Sequence, residues 1–472
     1  MAVDENKIAS IVKSVLENME KESLSSKTDK NIPKDGKRGI FSELESAVSA
    51  AVKAQKEYKV VSKEKRRELI EAVRNISVDN AERLGRMAVD ITGLGRWQDK
   101  KDKIINSATL TPGLEDIKTE VLDGDQGVTL IEKVPVGFVI LIAPTTHPIA
   151  QIVNHVICML AAGNSTFICP HPRAQEVTRE IIRLINDAIE EAGGPKNLVV
   201  ALDRVSLEIV ETVIKHPKTD MIMAAGGPDV VEMALTSGKK AIAAGPGNPP
   251  ALVDETANIA KAAEDIVNGA VFDNNILCIA EKEIFAVNSI ADQLLKELEK
   301  NNFYILKGEE INKVTDLVVK DKEHANPDYV GKDAELILND AGINVTGEIR
   351  GAVMDVSFDH PLVMIEQMLP VLPLVRVNNY AEGLDKSLKA EQHFGHTAMF
   401  HSNNLDRIAE FSRKMEVTIS VINGPSYAGL DVEGDSNYTH SIAEPTFEGI
   451  CTPENYTREI RTSICGGIQF SY

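Results

Sequence analysis

The chain has 472 residues, 43% hydrophobic and 26% charged, which is enough for two or three globular domains with sizeable cores. Its formal net charge of −20 argues against nucleic acid or an anionic membrane surface as a partner, because both require clustered lysine and arginine. Five widely spaced cysteines without a Cys-x-x-Cys pair, and no apolar run near the roughly 18 residues of a membrane span, predict a cytoplasmic protein with reduced thiols and no metal site.

The first 22 residues form a separate amphipathic segment. Their apolar side chains recur at spacings of three and four from Ile8 to Met19, which predicts one apolar stripe on a helix. Residues 23–39 are too polar to pack and predict a flexible linker. A short helix on a tether either binds a partner surface or folds back onto its own domain or oligomer, and the pattern alone does not choose between the two.

Helical character begins near Phe41, continues from Arg66 to Met87, and breaks at Thr92-Gly93-Leu94-Gly95-Arg96-Trp97. From Val128 onwards, β-rich runs alternate with helical ones. This rhythm predicts a doubly wound parallel sheet with its ligand at the carboxyl ends of the strands. The predicted strands are Val134–Pro144, Ser165–Cys169, Asn197–Leu202 and Asp220–Gly227, and the predicted helices are Ile149–Ala162, Ala174–Ala192 and Ser206–Lys215.

None of these strands leads into a Gly-x-Gly-x-x-Gly fingerprint, so a dinucleotide would bind without it. Gly226-Gly227 before Pro228 can still place helix N-terminal amides against a phosphate, because the glycine pair permits close approach of the backbone.

A second α/β segment begins near Ala241 and contains Cys278, which lies between an Asp-Asn-Asn turn and the apolar run Ile284–Val287. A nucleophilic cysteine must form a thiolate, which requires a partly exposed site near polarised backbone amides, as a turn provides. The alternative is a small buried hydrophobic residue. Further along, a helix is predicted at 290–298 and a strand at 372–377, and a loop-rich tail follows.

Several motifs in this order resemble the aldehyde dehydrogenase family from Phe41 to the C-terminus. They are Ile142–Pro148, Gly163–Pro170, Ala224–Pro228, Cys278 and Glu366–Pro373. The resemblance implies an α/β fold with two doubly wound domains, one for the cofactor and one for catalysis, plus a β oligomerisation arm. The implied boundaries are 40–242 for the nucleotide-binding domain, with an oligomerisation hairpin near 118–136, 243–428 for the catalytic domain, and 429–472 for the C-terminal return and arm.

One departure from the family pattern bears on the acceptor of the acyl group. Hydrolytic members carry a water-activating glutamate in a Glu-Leu-Gly-Gly turn, whereas the corresponding stretch here, Ala243–Pro250, has no carboxylate. This pattern, with Gly395-His396-Thr397, Pro170–Ala174 and His360-Pro361, resembles the CoA-acylating branch. The N-terminal helix resembles the encapsulation peptides of acylating enzymes, which implies that residues 1–22 bind shell or cargo proteins inside a bacterial microcompartment.

The resemblance also implies a set of site residues. Cys278 is the nucleophile, His396 the base for the CoA thiol, and Thr146 or His147 the oxyanion donor beside the Cys278 amide. The nucleotide-contacting residues are Pro144, Thr145, His171, Gly226, Gly227 and Glu366. His396 as a structural histidine and Glu366 as a turn carboxylate remain alternatives, and the choice between NAD and NADP stays open because Cys169 stands where many members have a lysine.

The implied activity oxidises a short aldehyde, of the propionaldehyde or acetaldehyde type, with NAD+ and CoA as co-substrate, through a Cys278 thioester in a homodimer or homotetramer. The competing hypotheses are a hydrolytic aldehyde dehydrogenase, an enzyme like glutamyl-phosphate reductase, and a non-catalytic scaffold. The last requires a buried Cys278.

Overall fold

The structure is a computed structural model that describes residues 36–321 and 323–466. The predicted N-terminal helix, residues 1–22, lies outside the described residues, as does most of the predicted linker. Within the described residues, no helix combines the length and the apolar character needed to cross a membrane.

The regular elements are numbered in chain order over the described residues. The strands are β1 (Ile40–Phe41), β2 (Glu120–Gly124), β3 (Gly127–Pro135), β4 (Phe138–Ile142), β5 (Ser165–Cys169), β6 (Val199–Leu202), β7 (Met221–Ala225), β8 (Lys240–Ala244), β9 (Pro250–Val253), β10 (Glu283–Val287), β11 (Phe303–Leu306), β12 (Val319–Lys320), β13 (His324–Ala325), β14 (Gly351–Val356), β15 (Val371–Val377), β16 (Thr397–His401), β17 (Ile419–Ile422), β18 (Ile442–Ala443), β19 (Gly449–Ile450) and β20 (Thr457–Cys465). The α-helices are α1 (Leu44–Tyr58), α2 (Lys63–Asp79), α3 (Ala81–Thr92), α4 (Trp97–Leu110), α5 (Ala150–Ala162), α6 (Gln175–Glu191), α7 (Leu207–Lys215), α8 (Pro228–Leu235), α9 (Ile259–Val271), α10 (Asn288–Lys300), α11 (Glu309–Val318), α12 (Ala334–Asp340), α13 (Tyr380–Glu391) and α14 (Leu405–Met415).

The N-terminal helices begin and end where the local sequence favours it. The Ser62 hydroxyl accepts a hydrogen bond from the Lys65 amide and caps α2. Gly93 ends α3 in the left-handed conformation, with φ of 68°, which glycine adopts without a steric penalty. The predicted break between the helices is therefore confirmed, although Phe41 itself belongs to a short strand, β1, paired with β6.

A six-stranded parallel sheet in the order β1-β6-β5-β4-β7-β8 forms the first large layer. Its central strand β4 is buried on both faces: Val139 and Leu141 join one hydrophobic core, while Phe138, Ile140 and Ile142 join another. Helices therefore cover both sides of the sheet, as in a doubly wound fold. The predicted α/β class is confirmed.

The predicted single strand from Val134 to Pro144 was wrong. The chain forms two strands in different sheets, β3 ending at Pro135 and β4 beginning at Phe138. Proline lacks a ladder donor, and Gly137 takes a φ of 137°, where a Cβ would lie 2.2 Å from Asp220 Oδ2. The apolar run continues through this corner without a break. The sequence pattern therefore did not reveal the corner, which depends on backbone conformation and not on hydrophobicity.

A seven-stranded parallel sheet in the order β11-β14-β15-β10-β9-β16-β17 forms the second large layer. The predicted strands at 284–287 and 372–377 are its central members, β10 and β15, which pair in register from Ile284 with Leu374 to Val287 with Val377.

The last described strand corrects the prediction of a loop-rich tail. Residues 457–465 form β20, which pairs antiparallel with the whole of β3, from Thr457 with Pro135 to Cys465 with Gly127. All but its first residue are exposed, so no apolar alternation marked it as a strand. With β2 it completes a three-stranded sheet, and the role of that sheet in oligomer formation stays a prediction.

Candidate active site

The turn before Cys278 is left-handed over three consecutive residues. Asp273, Asn274 and Asn275 have φ of 50°, 54° and 67°. Aspartate and asparagine tolerate this conformation better than other residues with a side chain, which explains the Asp-Asn-Asn sequence. Asn275 Nδ2 donates to the carbonyls of Ala270 and Glu281, at 2.9 and 3.0 Å, so the turn is tied to the elements on both sides of Cys278.

A buried carboxylate anchors this turn to helix α4. Asp273 Oδ2 accepts from Lys100 Nζ at 2.9 Å and from Lys103 Nζ at 2.6 Å. Lys103 also donates to the Ile276 carbonyl at 2.7 Å, and Lys100 to the Thr146 carbonyl at 2.9 Å. Burial lowers the pKa of Lys103 to about 8 even with the carboxylate beside it. The network holds the Cys278 turn and the Thr146 loop in one fixed arrangement.

Cys278 is half-buried and its surroundings favour the neutral thiol. Burial raises its pKa to about 12, Glu444 and Glu366 add to the increase, and Lys282 opposes it. Lys282 is fully buried and donates to Asn275 Oδ1 at 2.5 Å and to the Leu277 carbonyl at 2.9 Å. A proton acceptor must therefore lie close by if the thiol is to react as a thiolate.

His396 lies next to Cys278, with only a glycine between them. A Cβ built on Gly247 would lie 2.9 Å from the Cys278 carbonyl oxygen and 2.9 Å from His396 Cγ, so no larger residue fits there. His396 Nδ1 shares a 2.8 Å hydrogen bond with Thr397 Oγ1, and Nε2 is buried without a hydrogen-bond partner in the part of the chain that the structure describes. Burial lowers the pKa of His396 to about 3, and Lys282 contributes. The structure therefore does not use Nε2 to bond a turn carbonyl.

Glu366 joins this group through the same glycine. The Gly247 amide donates to Glu366 Oε1 at 3.4 Å, and burial raises the pKa of the carboxyl. Gly247 thus contacts Cys278, His396 and Glu366, three residues predicted from separate motifs.

Glu444 is a residue of the site that the sequence did not indicate. Its side chain is 6% exposed, and Oε1 lies 3.8 Å from His396 Nε2. Neither carboxyl oxygen has a hydrogen-bond partner among the described residues, and burial raises its pKa to about 8. It follows β18 in the tail, where Pro445 packs so closely on Gly245 that a Cβ there would lie 3.0 Å from Pro445 Cγ. The turn Ala243–Pro250 lacks the glutamate of the hydrolytic enzymes, but the carboxyl group of Glu444 lies beside it. This carboxyl comes from a segment whose sequence has no helical or strand periodicity.

Thr146 and His147 face each other and a third residue from the tail. Thr146 Oγ1 and His147 Nδ1 share a 2.9 Å hydrogen bond, and the His147 ring stacks on His440 at 4.8 Å. Burial holds the pKa of His147 well below its usual value, so it is a neutral donor or acceptor.

A pocket of about 430 Å³ is lined by the residues on either side of Cys278 in the sequence, although not by Cys278 itself. Leu277 and Ile279, the two neighbours of Cys278, line it together with Phe272, Tyr427 and Tyr438. Charged side chains of both signs line the rest of the pocket, including Asp99, Lys103 and Arg350. The apolar and aromatic part beside Leu277 and Ile279 suits a small organic substrate.

The remaining predicted residues follow three neighbouring strands of the six-stranded sheet. Pro144 and Thr145 follow β4, His171 follows β5, and Gly226 and Gly227 follow β7, and β4 lies between the other two. Their loops therefore meet at one edge, at the carboxyl ends of the strands. His171 Nδ1 accepts from the Arg173 amide at 3.2 Å and starts the short helix after it.

Two observations at this edge fit a dinucleotide. Gly227 is the N-cap of α8, and a Cβ built on it meets no atom within 4 Å, so space remains in front of the helix amides. The Thr145 hydroxyl is buried without a hydrogen-bond partner among the described residues. A phosphate in front of α8 and a polar ligand group at Thr145 would satisfy both.

Comparisons with known proteins agree with this geometry. Residues 29–434 match the aldehyde dehydrogenase family. The chain is 39% identical over 426 residues to an acetylating acetaldehyde dehydrogenase of Escherichia coli, across 89% of this chain and 91% of that protein. It is 42% identical to a solved propionaldehyde dehydrogenase of Rhodopseudomonas palustris with bound CoA and an acylated cysteine, with a TM-score of 0.89 over 91% of this chain and 98% of that one. A propionaldehyde dehydrogenase from a fucose utilisation microcompartment of Clostridium phytofermentans gives a TM-score of 0.90 at 39% identity, over 92% of this chain and 100% of that one.

Proposed function

The chain belongs to the aldehyde dehydrogenase family, and from this premise we propose that it is a CoA-acylating aldehyde dehydrogenase. It converts a short aldehyde, CoA and NAD+ into an acyl-CoA and NADH. Propionaldehyde and acetaldehyde are the substrates we propose, since relatives that are similar over nine-tenths of the chain act on them.

One observation carries the proposal: the Cys278 backbone and the His396 ring lie on either side of Gly247, and His396 Nε2 has no hydrogen-bond partner among the described residues. A nucleophile next to a base is the arrangement that acyl transfer between two thiols requires. The half-buried state of Cys278 also argues against a non-catalytic scaffold, which required a buried cysteine.

Binding and addition of the aldehyde use the pocket next to Leu277 and Ile279. The Cys278 thiolate adds to the carbonyl carbon. The new oxyanion is held by the Cys278 backbone amide and by a donor from the Thr146–His147 pair, whose position the Lys100 contact to the Thr146 carbonyl fixes.

The nucleotide edge of the sheet orients the cofactor. We assign the pyrophosphate to the amides in front of α8, at Gly226 and Gly227. We assign the nicotinamide ribose to Glu366, whose carboxyl also accepts a hydrogen bond from the Gly247 amide. Pro144, Thr145 and His171 complete the contacts. NAD+, when bound, accepts the hydride that converts the Cys278 adduct into a thioester.

The CoA thiol then attacks the Cys278 thioester, and His396 accepts its proton. The relatives favour this route over hydrolysis and over a glutamyl-phosphate-reductase-like reaction, because they are acylating enzymes and one was solved with CoA and an acylated cysteine.

We further assign residues 1–22 to encapsulation inside a bacterial microcompartment, through shell or cargo proteins. The support is the amphipathic pattern and the similarity to a dehydrogenase that comes from such a compartment. A homodimer or homotetramer, formed through the sheet of β2, β3 and β20, belongs to the same proposal.

An assay of NADH formation from propionaldehyde and acetaldehyde, with and without CoA, tests the function. We expect steady turnover only with CoA, and no turnover for Cys278→Ser. The control is Cys465→Ser, since this exposed cysteine lies on β20 away from the site. Equal rates without CoA, or activity of Cys278→Ser, would contradict the proposal.

A further inference from the structure

Glu444 is buried at a cost that its surroundings offset only in part, because the backbone amides of Glu444 and Gly245 lower its pKa less than burial raises it. A carboxyl group removed from water normally keeps hydrogen bonds, yet both oxygens of Glu444 lack them among the described residues. Its nearest polar neighbour in the site is the likewise unpartnered Nε2 of His396, 3.8 Å from Oε1.

The proposed function leaves one requirement unmet. His396 must accept a thiol proton, but it is buried and lies near the buried ammonium of Lys282, and both features disfavour an imidazolium. A nearby carboxylate is what would stabilise the protonated ring.

We propose that Glu444 is the proton-holding partner of His396: it receives, through Nε2, the proton that leaves the CoA thiol during acyl transfer. The inference rests on the proposed function and adds a positioning residue to it. The geometry carries it, because His396 Nε2 and Glu444 Oε1 lie 3.8 Å apart, both buried and without a hydrogen-bond partner among the described residues, and His396 shares Gly247 with Cys278.

The CoA sulfur forms a bond to the acyl carbon of the Cys278 thioester, and the bond between that carbon and Cys278 Sγ breaks. The proton passes from the CoA sulfur to His396 Nε2 and then to Glu444 Oε1. The products are acyl-CoA, the Cys278 thiolate and a protonated Glu444, so the charge is −1 before and after the step.

The other groups that face this pair agree with a shared proton. Glu391 Oε1 accepts from the His396 backbone amide at 2.9 Å, and this carboxyl raises the pKa of Glu444, as its burial does. The Gly245 amide acts in the opposite direction, and Lys282 lowers the pKa of His396. The pKa of Glu444 is about 8, close to the pKa of a free thiol. Glu444 therefore loses its proton, and can accept one, in the pH range in which a thiol also begins to ionise.

Pre-steady-state kinetics of the full-length enzyme test the proposal. The acyl-enzyme is formed with propionaldehyde and NAD+ and followed as an NADH burst, and is then mixed with CoA while acyl-CoA formation is measured from pH 6 to 10. For Glu444→Gln, we expect the ratio of the acyl-transfer rate to the burst rate to fall at least tenfold at pH 8, and the ionisation near pH 8 to disappear from the profile. Glu444→Asp should restore both in part.

A double-mutant cycle separates a shared proton from two independent effects. The variant with both Glu444→Gln and His396→Gln should be no slower in acyl transfer than the slower single variant, because both changes remove one function. Glu448→Gln, from the same tail segment, is the matched control and should keep the wild-type ratio. Melting temperatures of all variants establish that each is folded.

The outcomes are distinct. No acyl transfer to CoA by the wild-type enzyme would overturn the proposed function itself. Normal transfer by the wild type with an unchanged ratio and pH profile in Glu444→Gln would overturn only the role of Glu444. The role of Glu444 would also be overturned if the double variant lost acyl-transfer rate by the product of the two single-variant losses. A loss confined to the NADH burst would have the same consequence.

Discussion

Three titratable side chains at the site are kept uncharged by burial. The pKa of Cys278 is raised to about 12 and that of Glu444 to about 8, while that of His396 is lowered to about 3. At neutral pH the resting site thus contains a thiol, a carboxylic acid and a neutral imidazole. Proton movements within the group therefore govern its chemistry more than a fixed ion pair does.

The raised pKa of Glu444 makes the stability of the protein depend on pH. Between pH 4.5 and about 8, the unfolded chain releases this proton and the folded chain keeps it, so Glu444 increasingly opposes folding as the pH rises. Glutamine removes this dependence. We expect Glu444→Gln to match the wild type near pH 4.5 and to be more stable by about 4 kcal/mol at pH 8, because each pKa unit between the folded and unfolded values corresponds to about 1.4 kcal/mol.

Melting temperatures of both proteins between pH 5 and 9 check this prediction. Glu120→Gln is the control, because Glu120 is exposed on β2 and its replacement should leave the pH dependence unchanged. A difference between Glu444→Gln and the wild type that stays flat over this range would contradict it.

Residues of the candidate site could be predicted only where they lie in a short motif, and their roles stay predictions. The structure places Cys278 and His396, identified from their turns, on either side of Gly247. Glu444 could not be found in this way, because it acts on residues far along the chain and its segment has no periodicity. Lys100, Lys103 and Lys282 were missed for a related reason: a lysine in a sequence suggests an exposed residue, and only tertiary contacts show that these are buried.

At the scale of elements, the left-handed turn and helix α4 act as one unit through Asp273. Its carboxylate is fully buried and takes two ammonium groups that are also buried, at side-chain exposures of 3% and 2%. Breaking such a group is costly, because the remaining charges stay unpaired in a medium that solvates them poorly.

We expect Asp273→Asn to destabilise the protein by roughly 3 kcal/mol or more, since Lys100 and Lys103 lose their counter-charge. Asparagine tolerates the left-handed conformation as well as aspartate does, so the loss reports the charge and not the turn. Urea unfolding at neutral pH measures it.

Asp187→Asn serves as the matched control for this prediction. Asp187 pairs with Arg38 at the surface, with side chains 38% and 37% exposed, so its replacement should cost less than about 1 kcal/mol. Equal losses for the two variants would show that the buried network contributes no special stability.

Elements with a clear periodicity were predicted within one or two residues, such as the strand at 165–169 and the helix now seen as Leu207–Lys215. The errors arose where hydrophobicity carries no information. The corner at Pro135–Gly137 depends on backbone conformation, and β20 is an exposed strand whose partner β3 is distant in sequence.

For the whole molecule, the encapsulation hypothesis separates residues 1–22 from catalysis. Because the site is built entirely from residues after position 90, we expect deletion of residues 1–22 to leave the CoA-dependent rate within about twofold of the full chain. The same deletion should abolish co-sedimentation with purified microcompartment shells. A full-length variant with Ile11→Asp and Leu16→Asp, which breaks the apolar stripe, should behave like the deletion.

Loss of folding in the deletion variant would instead favour the alternative that the helix packs on its own domain or oligomer. Retained co-sedimentation would contradict the role of residues 1–22 as the encapsulation segment.

The pairing of β3 with β20 has a consequence for synthesis in the cell. Lys133 and Glu459, which are joined across this pairing, stand 326 residues apart. At translation speeds of about 5–20 residues per second, the edge of β3 waits roughly 15–65 s for its partner to emerge from the ribosome. An unpaired edge next to the exposed Val121 and Leu122 is open to wrong pairing with other chains during this interval. Glu444 is translated late as well, so a nascent chain carries Cys278 and His396 before it carries the carboxyl group that completes their site.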